Sequence, residues 1–491
     1  MRRRHFLGAA AVSFASSNLG HGNTVPRQIA VSLPQVHKGT LEVDTSLLDS
    51  YGPPPSNRRQ FYLGSRNVFS TNRQARFEDK EILDLARSHS IDLMGGPMLG
   101  QLKSDGVSIW LRPANDRPLS IDVAGKSFPL ESVVAGKEVH IEVSGLRPNR
   151  RYPYQVIQGN REVASGQFRT APLEAQPTQF RMTFGSCFHK VGIHNPNLFR
   201  QIINREPSVM MLLGDLAVDD RNDNVAMHRS DYQLRDVSEA WREFSSQIPN
   251  YACWDDHDYF DNDLNGIPKG FSADDRDALR RVWNQNWNNP SPSENREGIY
   301  FSSRVGPVEV IMLDTRSCRD NRLRHKPGCY LGNDQMEWLL KTLNASTAPF
   351  KVISSGTMWS DYVSKAKDSW GSWDTEAREQ IFSFIEEKKI RGVLLVSGDR
   401  HGARAFRIPR RSGFSFYEFE PATLGGHTGP AALVDNCPEQ IFGYGRDNLI
   451  AFGEFTFDTS QAEPRVTFRL IRENGEILEE HTISYEDLTP R

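Results

Sequence analysis

The chain has 491 residues, enough for about three domains of ordinary size. Its 38% hydrophobic and 25% charged residues are typical of a soluble globular protein. The formal net charge of -3 gives no nucleic-acid or membrane signal, and no apolar run reaches the roughly 18 residues of a transmembrane helix.

Residues 1–30 are predicted to be an export signal. MRRRHFLGAAAVSFASS begins with basic residues and continues with a short stretch of apolar and small residues, with cleavage after Ala15 or further on. The order Arg3, Arg4, Phe6, Leu7 resembles a twin-arginine signal. We therefore expect a bacterial protein exported by the twin-arginine machinery to the periplasm or the exterior. A disordered basic tail is the alternative.

Residues 31–95 form a segment of unclear fold, in which FEDKEILDLARSH (77–89) predicts one helix. Residues 96–172 contain short alternating segments such as VSIWLRP, KEVHIEV and RYPYQVI, separated by turn residues. VSGLRPNRRYPYQV resembles the tyrosine corner of fibronectin-like domains, in which a Tyr hydroxyl ties a strand to a preceding loop. This region is predicted to be a small all-β sandwich with a packing or spacing role.

From residue 173 to the end, apolar strands alternate with helices. SVMMLLGD, NYACWDDHD, PVEVIMLDTR, FKVISSGT and GVLLVSGDRH read as strands, and NPNLFRQIINR, NDQMEWLLKTLN and DTEAREQIFSFIEEKK read as helices. The pattern predicts a layered α/β domain with buried strands, closed by C-terminal β hairpins.

The cysteines do not indicate a zinc finger, and their odd number leaves at least one of them unpaired. There are five, at positions 187, 253, 318, 329 and 437, and no CxxC occurs. Cys318 and Cys329 flank a polar segment and are candidates for a bridge in an oxidising compartment.

Polar side chains follow several of the predicted strands. Cys187 follows FRMTFGS, Asp215 follows SVMMLLG, Asp314 and Arg316 follow PVEVIML, and Asp399 and His401 follow GVLLVSG. Singly, these residues suit a buried thiol, a helix N-cap, a structural salt bridge and a turn. Because reactive groups on such folds collect at the carboxyl ends of strands, their recurrence predicts a metal site with two cations sharing one carboxylate.

WDDHDYFDND (254–263) carries the highest density of charge, with five aspartates in ten residues. Several of these carboxylates, with His257 and Asn262, are expected to line the cation site. Trp254, Tyr259 and Phe260 would hold the loop against the scaffold. Asp255 and Asp258 are expected to orient His257 or neighbouring loops.

GSC, LLGD, WDDHDYFDND, LDTR and SGDRH, in that order, resemble the alkaline phosphatase D (PhoD-like) family of calcineurin-like metallophosphoesterases. The resemblance runs from about residue 95 to the end. It implies a layered metallophosphoesterase β-sandwich flanked by helices (173–491), preceded by the small all-β fibronectin-like domain. It also implies a binuclear site, holding iron and calcium in well-understood members of the family.

Carried over to this chain, the resemblance assigns six metal ligands, namely Cys187, Asp215, Asp256, Asn262, Asp399 and His401. Asp215 is the bridging carboxylate, and His257 lies close to the leaving group. Arg316 or Arg400 is the candidate phosphate clamp.

One position departs from the family pattern. The family commonly has a Tyr that binds iron in GDxxY, whereas this chain reads GDLAV with Val218 there. Iron is therefore in doubt, and zinc or manganese are alternatives. Asp219 or Asp220 is a candidate substitute for the missing phenolate.

The expected function is metal-dependent hydrolysis of phosphate monoesters, phosphodiesters or both by a metal-bound hydroxide, with His257 protonating the leaving oxygen. The segment 288–296 and the loop after Pro421, with His427, are candidates for shaping substrate entry. The alternative is a calcium-stabilised extracytoplasmic binding module without catalysis.

Overall fold

The computed structural model describes residues 24–290, 297–363, 368–427, 429, 432–444 and 448–491. The proposed twin-arginine motif and most of segment 288–296 lie outside the described residues. None of the helices in the described ranges has the length and apolar character needed to cross a membrane.

The segment before the first strand is helical. Its four helices are α1 (Leu33–Lys38), α2 (Leu41–Leu48), α3 (Ser56–Thr71) and α4 (Lys80–Ser88). Helix α4 matches the helix predicted from residues 77–89. Apolar side chains including Val36, Leu47, Phe61 and Phe69 form a separate core that also takes in Leu234.

Asp44 ties this helical segment to the rest of the chain. Its buried carboxylate pairs with Lys190 at 2.9 Å, with Arg66 at 2.8 Å and with Arg221 at 3.7 Å. Burial would raise the pKa of Asp44, but these cations outweigh burial and lower the pKa to about 2.

Seven strands follow, and all of their pairings are antiparallel. They are β1 (Leu93–Lys103), β2 (Gly106–Pro113), β3 (Leu119–Val123), β4 (Lys126–Leu130), β5 (Val139–Val143), β6 (Arg151–Gln158) and β7 (Arg161–Arg169). They form the sheets β1-β2-β5 and β4-β3-β6-β7. The hydroxyl of Tyr152 accepts a hydrogen bond from the backbone N–H of Arg147 at 3.0 Å, as a tyrosine corner requires. The fibronectin-like identity of this region stays a prediction.

The remaining strands of the chain form two larger sheets. Their strands are β8 (Gln179–Gly185), β9 (Val209–Leu213), β10 (Asn250–Cys253), β11 (Phe301–Val305), β12 (Val308–Met312), β13 (Phe350–Ser354), β14 (Val393–Val396), β15 (Ala403–Pro409), β16 (Ser415–Pro421), β17 (Gln440–Tyr444), β18 (Ala451–Asp458), β19 (Arg465–Arg472) and β20 (Ile477–Ser484). The strand orders are β10-β9-β8-β18-β19-β20 and β11-β12-β13-β14-β16-β15-β17.

The two sheets pack face to face through aromatic rings. Phe419 of β16 lies 4.4 Å from Phe468 of β19 and 5.4 Å from Phe455 of β18, measured between ring centroids. Contacts of this kind across inner sheet faces define a sandwich core.

Helices flank this sandwich. They are α5 (Pro196–Asn204), α6 (Val225–Val237), α7 (Glu239–Ser245), α9 (Ala273–Asn286), α10 (Gly332–Ala345), α11 (Trp370–Trp373) and α12 (Thr375–Glu387), and the short helix α8 (Asp256–Tyr259) directly follows β10 at the edge of its sheet. Leu339 of α10 and Phe382 of α12 share a core with Ile353 of β13 and Leu395 of β14. The predicted α/β sandwich flanked by helices is confirmed.

Two local predictions need correction. NYACWDDHD is not one strand, because β10 ends at Cys253 and helix α8 begins at Asp256 with Asp255 as its N-cap. Asp255 and Asp258 accept from backbone N–H groups there, which favours a helix start. Cys318 and Cys329 do not form a bridge, since all five cysteines are free thiols. The Cys329 thiol instead lies 3.3 Å from the Trp373 carbonyl oxygen.

Candidate metal centre

Parallel strands bring the predicted ligands to one edge of the sandwich. Strands β8, β9 and β10 run parallel in one sheet, as do β12, β13, β14 and β16 in the other. The loop after β8 is tied to the loop after β9 by the Cys187 N–H, which donates to the Gly214 carbonyl at 2.9 Å. Gly214 has a φ of 101°, and a Cβ there would lie 2.5 Å from the Asp255 Cβ, so the close approach of the segments after β9 and β10 requires glycine.

Five side chains at this edge sit on left-handed backbone. Their φ values are 61° for Cys187, 44° for His189, 56° for Asp215, 70° for Asp399 and 55° for His401. Such conformations are costly for residues other than glycine and concentrate at functional sites, where the surrounding structure holds them in place.

One group of possible ligands combines sulfur, nitrogen and oxygen. Cys187, His189, Asp215 and His401 each offer a ligand atom, and these atoms lie within 4.8 Å of one another. The Nε2 atoms of His189 and His401 are 2.9 Å apart, and the Cys187 Sγ is 3.7 Å from Asp215 Oδ2. Burial lowers the pKa of both imidazoles, which favours the neutral form that binds metals.

A second group consists of carboxylates alone. Asp215, Asp255, Asp256 and Asp399 place their oxygens within 4.8 Å of one another. One oxygen of each has no hydrogen-bond partner in the described part of the chain. Burial, followed by the negative charge of neighbouring aspartates, raises the pKa of Asp215 and of Asp399. Buried, mutually repelling oxygens with spare lone pairs are suited to a cation, so both groups fit metal ions.

Asp215 belongs to both groups. It is therefore placed where a carboxylate bridging two cations would have to be.

His257 lies beside the carboxylates. Its Nδ1 is 2.7 Å from Asp220 Oδ1, and one of its ring nitrogens is grouped with oxygens of Asp215 and Asp256. Burial would lower the pKa of His257, but the charges of Asp256 and Asp215 outweigh burial and raise it.

The aromatic residues anchor this loop as expected. The Trp254 Nε1–H donates to Asp314 Oδ1 at 2.8 Å, and the Tyr259 hydroxyl donates to the Gly266 carbonyl at 2.6 Å. All three aromatic side chains of the stretch are buried. Asp258 accepts from the Leu216 N–H at 2.9 Å and so holds the loop after β9.

Arg316 is completely buried, and its guanidinium forms ion pairs with carboxylates. It pairs with Asp255, with Asp368 at 2.8 Å and with Asp256 at 3.4 Å. This geometry matches the structural salt bridge that the sequence left open, and it fixes two of the candidate ligand carboxylates. Arg400 lies 3.7 Å from Asp399.

Asn262, Val218 and His427 belong to neither of the two ligand groups. The Asn262 side chain is exposed and donates to Asp263 at 3.1 Å, so its assignment as a ligand stays a prediction. Val218 is buried in the apolar core and offers no ligand atom. The His427 ring centroid lies 6.3 Å from that of His189.

Two histidines of the site were not predicted. His189 follows Cys187 by two residues in FGSCFHK, so its proximity to that thiol was the available signal. His37 comes from α1, and its Nδ1 lies 2.7 Å from Asp219 Oδ1. A separation of 182 residues left no local signal for this contact.

Comparisons with known proteins identify similar chains. A family model described as PhoD-like phosphatase matches residues 217–429. Alkaline phosphatase D of Bacillus subtilis (strain 168) is 26% identical over 383 residues, covering 64% of this chain and 65% of that protein. The match thus spans slightly less than two thirds of the relative's length.

Two solved structures share the fold. The structure of PhoD has a TM-score of 0.62 at 20% identity, covering 80% of this chain and 88% of that one. Purple acid phosphatase PPD1 from yellow lupin (Lupinus luteus) seeds has a TM-score of 0.56 at 16% identity, covering 80% and 75%. The resemblance read from the motifs is therefore confirmed.

Proposed function

We propose that this PhoD-like chain is a phosphoric ester hydrolase that uses two metal ions. The observation that carries the proposal is the position of Asp215, shared by a sulfur- and nitrogen-containing group and an all-carboxylate group. A softer ion suits the first group and a hard ion suits the second.

Each ion would have its own residues. Cys187, His189, Asp215 and His401 would hold the softer ion, and Asp215, Asp255, Asp256 and Asp399 are the candidates for the other. We keep Asn262 as a further candidate ligand. Two such ions neutralise phosphoryl oxygens and lower the pKa of bound water. Because Val218 replaces the Tyr that commonly binds iron in the family, iron, zinc and manganese are all candidates for the softer ion. Calcium is the candidate for the other ion.

The side chains of this chain would then position the reaction. Asp220 accepts from Nδ1 of His257, which orients the ring and leaves Nε2 to give a proton to the departing oxygen. Arg316 would act by holding Asp255, Asp256 and Asp368 in place. Arg400, which also lies beside Asp399, remains the candidate phosphate clamp.

Export is a separate part of the proposal. The basic start and the apolar stretch of residues 1–30 support delivery by the twin-arginine machinery. Replacing Arg3 and Arg4 together with lysine should leave the protein in the cytoplasmic fraction. Unchanged export of that variant would contradict this route.

The test of activity compares Asp215→Asn with Asp223→Asn, a control at a carboxylate that pairs on the surface with Arg73. p-Nitrophenyl phosphate and bis-p-nitrophenyl phosphate would separate monoester from diester hydrolysis, and elemental analysis would count metals. Asp215→Asn should lose nearly all turnover and part of its metal, while Asp223→Asn keeps both. Normal turnover of Asp215→Asn would overturn the scheme. Bound metal without turnover in the wild type would favour the binding module.

A further inference from the structure

Four side chains meet outside the two groups that hold the proposed catalytic ions. His37, Asp219, Asp220 and His257 each bring a ligand atom within 4.8 Å of the others. The cluster adjoins the site described above through His257 and through Asp219, which lies 3.5 Å from His189, whereas His37 and its helix carried no predicted chemistry. We propose that this His37 cluster is a further binding site for one divalent cation of the zinc class.

The distances between the ligand atoms converge on a common centre. His37 Nδ1 lies 2.7 Å from Asp219 Oδ1 and 3.0 Å from Asp220 Oδ2. His257 Nδ1 lies 2.7 Å from Asp220 Oδ1 and 3.3 Å from Asp219 Oδ1. Ligands at about 2.0–2.2 Å from a tetrahedral zinc ion are roughly 3.3–3.6 Å apart, so outward shifts of several tenths of an ångström would accommodate the ion.

Hydrogen bonds alone leave this cluster incompletely satisfied. Each ring nitrogen faces two carboxylates but carries at most one hydrogen. Asp219 is completely buried, and its Oδ1 is the oxygen that faces both His37 and His257. Its Oδ2 faces His189 Nδ1 at 3.5 Å and has no hydrogen-bond partner among the described residues. A cation at the centre of the cluster would replace the competition of the two ring nitrogens for Asp219 Oδ1.

The ring geometry also suits a shared ion. The imidazoles of His37 and His257 are stacked, with centroids 4.7 Å apart and planes 8° apart. Stacking holds both Nδ1 atoms toward the same pair of carboxylates. Burial would lower the pKa of both rings, but neighbouring aspartates outweigh burial and raise the pKa of His37 to about 9 and also that of His257, so a divalent ion would have to displace these protons. The resulting complex of two neutral imidazoles, two carboxylates and the ion is charge-neutral, and imidazole nitrogen selects zinc-class metals over calcium or magnesium.

The position of the His37 cluster suggests what the ion would do. His37 belongs to α1, whereas Asp219 and Asp220 follow β9 and His257 lies in α8. The ion would therefore fasten the N-terminal helical segment to the edge of the sandwich. It would also fix His257 through Nδ1, in place of the hydrogen bond to Asp220, and leave the proton on Nε2; this last consequence rests on the proposed function.

The test counts zinc in the full-length protein. Wild type, His37→Ala and His37→Cys would be stripped with a chelator, reloaded with Zn²⁺, dialysed and analysed by inductively coupled plasma mass spectrometry. His37→Ala should hold one zinc fewer per chain than wild type, and His37→Cys should restore it because thiolate is a zinc ligand. His89→Ala, in the same helical segment, is the control and should match wild type. Equal zinc counts in wild type and His37→Ala would overturn the proposal.

A second variant keeps the test valid if His37→Ala fails to fold. If His37→Ala does not fold by circular dichroism, Asp220→Asn, which preserves side-chain size, should show the same deficit of one zinc. A normal count in folded Asp220→Asn would then overturn the site. The outcome is separable from the proposed function, because a His37-dependent zinc in a wild type without turnover contradicts only the hydrolase. Turnover with equal zinc counts contradicts only the His37 cluster as a metal site.

Discussion

The Nε2 atoms of His189 and His401 face each other at 2.9 Å, although the two residues are 212 positions apart in the chain. His189 follows β8 and His401 follows β14, so each comes from a different sheet of the sandwich. Each of the two residues offers a ring nitrogen within 4.8 Å of ligand atoms of Cys187 and Asp215. In the proposed metal site, His189 would supply a nitrogen ligand, which Val218 cannot do.

His189→Ala should weaken binding of the first metal by at least about 10- to 100-fold, the cost of losing even a supporting partner of a ligand. The physical reason is the loss of one of four donors. Competition against a chromophoric chelator measures the change. His427→Ala is the matched control, because the His427 ring lies beside His189 but outside the ligand groups. Equal affinity of His189→Ala and wild type would remove His189 from the ligand set.

Removal of metal should lower the thermal stability of the wild type. Asp215, Asp255, Asp256 and Asp399 are packed together, and without a cation their charges repel. An ion at a free concentration of 100 times its Kd stabilises the folded state by about 3 kcal/mol. Thermal unfolding with and without chelator, followed by readdition of metal, checks this. A melting temperature that is the same in all three samples would argue against occupied sites.

Arg316→Met should destabilise the protein by about 3–5 kcal/mol, because it leaves buried carboxylates without their counter-charge. Asp255 and Asp368 are the two nearest acids. Urea unfolding measures the loss. Arg322→Met, which removes a solvent-exposed guanidinium paired with Asp320, should leave stability nearly unchanged. Similar losses in the two variants would show that burial of the Arg316 pairs does not matter.

Asp44 should make stability dependent on pH in the acid range. Its pKa of about 2 lies below the ordinary value of 3.8, so its stabilising effect is present above pH 3.8 and is lost as the pH falls through about 2. The shift corresponds to about 2 kcal/mol. Asp44→Asn should be less stable at neutral pH and should lose less stability on acidification between pH 5 and pH 2. Parallel acid-unfolding curves would contradict this assignment.

Many of the strands, four of the helices (α4, α5, α10 and α12) and the order of the motifs could be read from the sequence alone. SVMMLLGD and GVLLVSGDRH each predict a buried strand followed by a turn, because apolar runs and Gly–Asp turns are local features of the sequence. Since parallel strands end at one edge of a sheet, Cys187, Asp215 and Asp399 could be expected to meet there.

Tertiary structure alone decided which side chains complete the site. His37 reaches Asp219 only because α1 packs beside the loop after β9. Arg316 reads equally well from sequence as a phosphate clamp or a salt bridge, and its burial among Asp255, Asp256 and Asp368 favours the salt bridge. Contacts between residues far apart in the chain depend on how whole helices and strands pack. Hydrophobic periodicity along the chain does not predict that packing.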